Sequence, residues 1–437
     1  MRDKFNLWQA TSLVVGNIVG SGILMLPVAI ASYGSFGLIG WFLTSLGAVF
    51  LGLVFARLSH HFSKSGGPYT YVRSVFGDFA GFQIAWTYWL ANIISNLAVV
   101  IAFVSYLSIS YPVLKESALL SFFVGLISLW AAVGINLLGV KIFARIQFLV
   151  TFIKVFPLVL LSLIGFFYVD WGNIYPFTLS AGITPNQAIL ATMSLSIFSF
   201  IGIESATIPS GDIEDAKKTV AKATVFGTVI SAAIYIWITV ALMGIMGATT
   251  LANSNAPFAD TFAHIFGENF GYGVALMGAF SCFSTLNGWV LLQGQIPLSV
   301  ARDGLFPQIF GKLTKGGAPV FALIFSSVLM SFLLFFNYSA SLLDQFALIV
   351  NLTSFSILLP YLVSSLADMK LLWREKNNTR LLWQGMATSL AAFAYTAVAI
   401  FGVGIKSFLM GFAFILIGTP IYVVMKKSLE DFLTSVI

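Results

Sequence analysis

Long, continuously apolar segments recur along the whole of this chain, and they limit the folds that are open to it. Each segment is close to the roughly 20 residues that a helix needs to cross the hydrocarbon core of a bilayer. Inside lipid every backbone N–H and C=O group has to be paired within the protein, which leaves α-helices or a closed β-barrel. The segments do not alternate between apolar and polar residues as barrel strands do. We therefore predict an all-α polytopic membrane protein.

The composition supports this prediction and excludes other classes. Only 9% of the 437 residues are charged and 59% are hydrophobic, whereas about 25% charged residues is usual for a soluble domain. A soluble fold of this length could not hide so much apolar surface, so the lipid bilayer is an expected partner. The basic residues are scattered over loops rather than gathered on one face, and we expect no nucleic-acid partner.

Metal, cofactor and catalytic chemistry find no support in the sequence. Cys282 is the only cysteine, and the three histidines show no ligand spacing. We therefore expect no metal, no cofactor and no catalytic residue. A membrane-embedded enzyme would need clustered catalytic side chains at one membrane face, and a channel would need a ring of repeated polar residues. Both remain distant alternatives to a transporter.

Twelve segments are predicted to span the membrane. They lie at residues 8–32, 36–58, 79–110, 118–138, 144–168, 187–210, 222–247, 270–299, 319–337, 343–367, 382–404 and 407–425. With the N-terminus inside, nineteen of the 22 basic residues fall on the cytoplasmic side and only Lys115 and Lys406 fall outside. Because cytoplasmic loops are rich in Lys and Arg, both termini are predicted to be cytoplasmic.

Two of these spans carry interruptions at corresponding places. The first contains Gly20–Gly22 ahead of Pro27, and the sixth contains Gly202 seven residues ahead of Pro209. Paired interruptions of this kind mark the binding site of transporters, because half-helix ends offer unpaired backbone groups to a substrate. Close helix packing is the alternative explanation for small residues.

The loops are too short to fold alone, so residues 1–437 are predicted to form one transmembrane domain. Its parts are two inverted five-helix repeats and two additional helices, at 6–168, 186–369 and 381–427.

Two ionisable residues lie deep in predicted spans, where charge is costly and usually functional. Glu204 is a candidate for gating and proton coupling, with a structural hydrogen bond as the alternative. Lys154 could hold a fixed positive charge in place of a sodium ion, or exchange a proton, and a structural lysine is again the alternative. We expect its ammonium group to donate to carbonyl groups freed at Gly20–Gly22 and to Ser284 or Thr285.

Polar and aromatic side chains at mid-depth add further candidates. Tyr88, Asn92 and Asn96 are spaced by four residues and share one face of the third span. Trp289 follows a glycine in the eighth span and could present its ring to a cationic or apolar substrate, although packing is the commoner role of tryptophan. The tenth span is polar at Asn351, Thr353 and Ser354, which could equally serve helix–helix hydrogen bonding.

Taken together, these motifs resemble those of the amino acid–polyamine–organocation superfamily of transporters. The likeness lies in segments Gly16–Ile23, Ser65–Tyr69, Ser199–Ser205, Asn287–Trp289 and Ala301–Pro307, and it runs over the whole chain. Within the superfamily the sequence looks closest to the bacterial basic amino acid/polyamine antiporters, of the arginine:agmatine exchanger type. The resemblance implies the inverted-repeat fold, commonly as a homodimer, in the bacterial inner (cytoplasmic) membrane.

The resemblance also implies where an amino acid or amine substrate binds, with exposed backbone at the two breaks holding its carboxylate and amine. The candidate substrate-binding residues are Asn17, Val19, Gly20, Ser21, Gly22, Ala91, Asn92, Asn96, Phe198, Ile201, Gly202, Ile203, Trp289, Asn351 and Thr353. The candidates for gating or proton coupling are Tyr88, Glu204, Tyr361 and Lys154. Phe198 and Asn92 replace a tryptophan and a cysteine of the arginine exchanger.

The expected function is therefore secondary active transport of amino acids or related amines by alternating access, as an antiporter. The alternative is a sodium-independent, proton-coupled amino acid symporter. Lys154 favours this alternative, because proton-coupled symporters, and also the light-subunit-type exchangers, of the same superfamily carry a lysine at the matching position, whereas the arginine exchanger is apolar there. We expect a carrier rather than an enzyme.

Overall fold

The computed structural model describes residues 4–62, 64–254, 256–336, 342–375, 379–402 and 405–436. These residues form α-helices joined by short turns, and their single isolated β-bridge pairs Phe5 with Ile213. Ten helical stretches of this described part are long and apolar enough to cross a membrane. The protein is thus a polytopic α-helical membrane protein, as the apolar segments predict.

Eight helices make up the first part of the chain. They are α1 (Leu7–Ile18), α2 (Ser21–Ala31), α3 (Gly37–His61), α4 (Pro68–Phe76), α5 (Asp78–Ser110), α6 (Val113–Glu116), α7 (Ala118–Leu137) and α8 (Val140–Gly165).

Nine further helices follow a connection that contains two short 3₁₀ turns. They are α9 (Pro185–Ser196), α10 (Ala216–Met246), α11 (Ala248–Leu251), α12 (Pro257–Phe266), α13 (Glu268–Arg302), α14 (Val320–Phe336), α15 (Leu342–Glu375), α16 (Thr379–Gly402) and α17 (Ile405–Val436).

Two predicted spans are absent from the set of ten. The sixth is interrupted after α9, as its glycine and proline predict, and α14 at the ninth has only 17 residues. The tenth and twelfth predicted spans are too short, because α15 continues to Glu375 and α17 to Val436. Hydropathy marks only the apolar part of a helix, whereas residues such as Leu, Lys, Arg and Glu let the helix continue beyond that part.

The candidate site is positioned by close helix packing. The long helices α5 and α13 pack along each other, and α1 packs against α8, α10 and α13. Gly288 permits the approach of α13 to α1, because a Cβ atom at this position would overlap the amide of Asn17. The first break is also held against α13, because a Cβ atom at Gly20 would overlap the side chain of Thr285.

Candidate substrate site between the two broken helices

The first break is short and lies at Val19 and Gly20, between α1 and α2. The predicted interruption at Gly20–Gly22 is thus displaced, since Ser21 and Gly22 already belong to the first turn of α2. The first N–H groups of a helix have no intrahelical partner. Those unpaired N–H groups of α2 form the anion-attracting end of the second half-helix.

The break also leaves the last carbonyl groups of α1 without helical partners, and side chains from other helices donate to them. The indole N–H of Trp289 donates to the carbonyl oxygen of Asn17, 3.2 Å away. The hydroxyl group of Tyr235 donates to the carbonyl oxygen of Ile18. The end of α1 is therefore fixed by α10 and α13 rather than by its own helix.

Lys154 of α8 completes this set. Its side chain is 3% exposed, and its Nζ donates to the carbonyl oxygen of Gly16 at 2.6 Å and to Oγ1 of Thr285 at 2.7 Å. The expected contact with Thr285 is present, but the expected contact with carbonyl groups of Gly20–Gly22 is wrong. The lysine instead meets the C-terminal end of α1, where the helix dipole is negative and attracts a cation.

The second break follows α9. A 3₁₀ turn at Ile197–Phe200 is succeeded by turns through residue 209. Gly202 has a φ of 114°, a conformation that glycine alone adopts readily, and a Cβ there would lie 3.1 Å from Cβ of Asn17. The side-chain amide of Asn17 donates to Oγ of Ser205 at 2.9 Å. The second break therefore packs directly against the end of α1, next to the first break.

Glu204 lies in this second break and is fully buried. The hydroxyl of Tyr361 donates to its Oε2 at 2.5 Å, and the hydroxyl of Tyr88 donates to its Oε1. The hydroxyl of Tyr361 also accepts from the backbone N–H of Gly202 at 3.4 Å. The structure thus brings together Tyr88, Glu204 and Tyr361 as one cluster. The ion pairs of the described residues include no cationic partner for Glu204.

A small cavity of about 20 Å³, with both polar and apolar lining residues, adjoins the two breaks. It is lined by Asn17, Ile18, Gly22, Ser95, Asn96, Val99, Ile201, Thr285 and Trp289. Five of these residues were predicted to bind substrate: Asn17, Gly22, Asn96, Ile201 and Trp289. A cavity of this size admits about one water molecule and is too small for an amino acid.

The other described residues predicted to bind substrate are not among those that line this cavity. Val19, Gly20, Ala91, Asn92, Gly202, Ile203 and Thr353 belong to the breaks or to α5 and α15. The hydroxyl of Thr353 donates to the carbonyl oxygen of Ile349 within its own helix. The side chains of Ser21, Phe198 and Asn351 lie outside the described residues.

Three lining residues were missed by the sequence analysis: Ile18, Ser95 and Val99. A signal for two of them exists, because Ser95 and Val99 lie three residues after Asn92 and Asn96 and therefore continue the same helix face.

The glycine-rich stretch after α3 and the loop after α13 meet each other. The hydroxyl of Tyr69 donates to Oδ2 of Asp303 at 2.9 Å, and Arg73 forms an ion pair with the same carboxylate at 2.5 Å. Burial raises the pKa of Tyr69, and the charge of Asp303 raises it further, so the hydroxyl remains a donor. The backbone N–H of Gly66 donates to the carbonyl oxygen of Ile208, 2.9 Å away. These contacts link both segments to the end of the second break.

Two broken helices that meet beside a small cavity, within a polytopic helical membrane protein, define a membrane transporter of the broken-helix class. The chain belongs to the amino acid permease family of the amino acid–polyamine–organocation superfamily, whose model matches residues 5–426. The superfamily resemblance of the sequence motifs is thereby confirmed.

Several bacterial relatives align with most of the chain. A Bacillus subtilis protein provisionally named an arginine/ornithine antiporter is 31% identical over 96% of both chains. The putrescine transporter PotE of Haemophilus influenzae is also 31% identical over 96% of both chains. The cadaverine/lysine antiporter of Escherichia coli is 32% identical over 83% of this chain and 82% of its own.

Proposed function

We propose that this protein exchanges a basic amino acid for a related amine across the bacterial inner membrane by alternating access. The observation that carries the proposal is the second helix break packed against the end of α1, next to the first break and beside a small cavity. Its relatives named for arginine/ornithine and cadaverine/lysine antiport support exchange of cationic substrates. The protein acts as a carrier and not as an enzyme.

Each part of the site has a role in this proposal. A substrate carboxylate binds the free N–H groups at the start of α2, and the α-amino group binds carbonyl oxygens of the second break. The ring of Trp289 covers the aliphatic part of the substrate, and Asn17 and Asn96 bind its polar groups. Tyr88, Glu204 and Tyr361 form the inner gate, with Glu204 as the proton-accepting group.

The proposed membrane topology has twelve spans. The interrupted sixth span and the short α14 are added to the ten long apolar stretches of the described residues. Both termini are cytoplasmic in this topology, as the distribution of Lys and Arg favours. The proposed arrangement is two inverted five-helix repeats followed by two helices, as the family resemblance implies.

A proton-coupled, sodium-independent symporter is the second candidate function. It is favoured by Lys154, whose Nζ bridges the end of α1 and α13 with neutral oxygens only. A lysine fixed between these helices supplies the positive charge that a sodium ion would otherwise bring. Both candidates therefore share sodium independence and differ in whether an internal substrate is required.

Counterflow in proteoliposomes separates the two candidates. We expect labelled lysine to enter vesicles preloaded with lysine, ornithine, cadaverine or putrescine, and not to enter empty vesicles, because an antiporter returns only with a substrate bound. Empty vesicles with an imposed inward proton gradient serve as the control. Accumulation of lysine in those empty vesicles would instead establish symport, and no uptake of any amino acid or amine under either condition would refute transport of this substrate class.

A further inference from the structure

We infer that Gln293 is a positioning residue that orients the side-chain amide of Asn96 and thereby selects substrates with a positive charge at that end of the cavity. The inference rests on the proposed function, because it concerns the same site. Gln293 lies on α13 one helical turn after Trp289 and is fully buried.

A relay of four buried polar side chains crosses the wall of the site. Nδ2 of Asn96 donates to Oε1 of Gln293 at 2.9 Å and to Oδ1 of Asn92 at 3.3 Å. Nε2 of Gln293 donates to Oγ of Ser327 at 3.2 Å. Each of the four side chains is at most 1% exposed. The relay therefore connects α5, α13 and α14 without access to bulk water.

This arrangement uses the nitrogen of the Asn96 amide and leaves its oxygen free. No hydrogen bond among the described residues ends on Oδ1 of Asn96, and Asn96 lines the cavity. Oδ1 of Asn17 is also without a partner, but it is buried against Gly288 of α13. The free amide oxygen of Asn96 at the cavity matches a ligand that carries N–H donors, such as an ammonium or guanidinium group.

Gln293 decides which end of the Asn96 amide faces the cavity. If Asn96 alone were turned over, its oxygen would oppose Oε1 of Gln293, and two acceptors cannot form a hydrogen bond. If the amide of Gln293 were rotated by 180° as well, the Ser327 hydroxyl would have to donate to Oε1 of Gln293. The amide hydrogens of Asn96 would then face the cavity. Those hydrogens would repel a cationic substrate. Without Gln293, only the longer contact with Oδ1 of Asn92 opposes this second orientation. Asn92 can rotate with Asn96, because its own Nδ2 has no partner among the described residues.

The test compares lysine with norleucine, which has a similar side-chain length and no distal ammonium group. In proteoliposomes, Gln293→Leu is expected to raise the KM for lysine about tenfold, the effect of losing one hydrogen bond to a charged group, and to change kcat much less. The inhibition constant of norleucine is expected to stay nearly constant. Gln293→Glu is expected to restore the KM for lysine, because a carboxyl oxygen accepts from Asn96 in the same way.

Gln295→Leu is the matched control, since Gln295 is buried on the same helix but takes no part in the relay. It is expected to keep the lysine KM of the wild type. Gln293→Met provides the same test if Gln293→Leu does not fold. An equal loss of affinity for lysine and norleucine, or no loss for either, would overturn the inference alone. A wild-type protein that exchanges no basic amino acid would overturn both the proposed function and the inference.

Discussion

Exchange by Lys154→Met is expected to be about tenfold to a hundredfold slower than exchange by the wild type. The substitution keeps the side-chain volume but removes the donor to the carbonyl oxygen of Gly16 and to Oγ1 of Thr285. A hydrogen bond that involves a charged group contributes about 1.5–3 kcal/mol, and each ~1.4 kcal/mol corresponds to a factor of ten. The measurement is the initial rate of lysine counterflow in sodium-free proteoliposomes.

Lys115→Met is the control, because Lys115 is an exposed lysine of the short helix α6. It is expected to leave the rate unchanged. Wild-type exchange that requires sodium would refute the account of Lys154 as a permanent positive group. A wild-type rate in Lys154→Met would show that the lysine is structural, and Glu204 would then be the remaining candidate for coupling.

Replacing Glu204 with Gln is expected to flatten the dependence of the exchange rate on external pH between about 5 and 8. Glu204 is a fully buried carboxyl group that two tyrosine hydroxyls approach, and glutamine has similar size but cannot take up a proton. The glutamine side chain has one accepting oxygen instead of two, so either Tyr88 or Tyr361 loses its acceptor. The measurement is counterflow at a series of pH values, with substrate affinity determined in parallel.

Tyr361→Phe separates proton uptake from the packing of the gate. This variant removes one hydrogen bond to Glu204 but keeps the carboxyl group. The exchange rate is expected to fall by about two- to tenfold, for the loss of ~0.5–1.5 kcal/mol. Exchange is expected to remain dependent on pH, because the carboxyl group of Glu204 is still present. A Glu204→Gln profile that matches the wild type would exclude proton sensing at Glu204.

Much of the site could be predicted because few residue types are tolerated inside a membrane. The two interrupted helices are visible as glycine and proline within apolar segments, and a buried acid such as Glu204 is conspicuous for the same reason. The spacing of Tyr88, Asn92 and Asn96 predicts a shared helix face. In the structure, Tyr88 reaches Glu204, and Asn96 reaches both the cavity and Gln293.

The remaining features depend on contacts between helices, which hydropathy does not describe. The carbonyl group that Lys154 approaches depends on where α1 ends, and a shift of the break from Gly20–Gly22 to Val19 and Gly20 changes that partner to Gly16. Gln293 carries no sequence signal beyond its spacing from Trp289. Its importance follows only from the position of Asn96 on a neighbouring helix.

Substrate protection of a cysteine placed in the cavity tests the central claim most directly. In a Cys282→Ala background, Ser95→Cys puts a single thiol on the cavity wall, and Ala181→Cys puts one on an exposed loop as the control. At about ten times its Kd, lysine occupies roughly nine-tenths of the sites. The account predicts that thiol labelling at Ser95→Cys then slows about tenfold and that labelling at Ala181→Cys does not change. An unchanged labelling rate at Ser95→Cys, under conditions in which lysine is exchanged, would contradict a substrate site between the two broken helices.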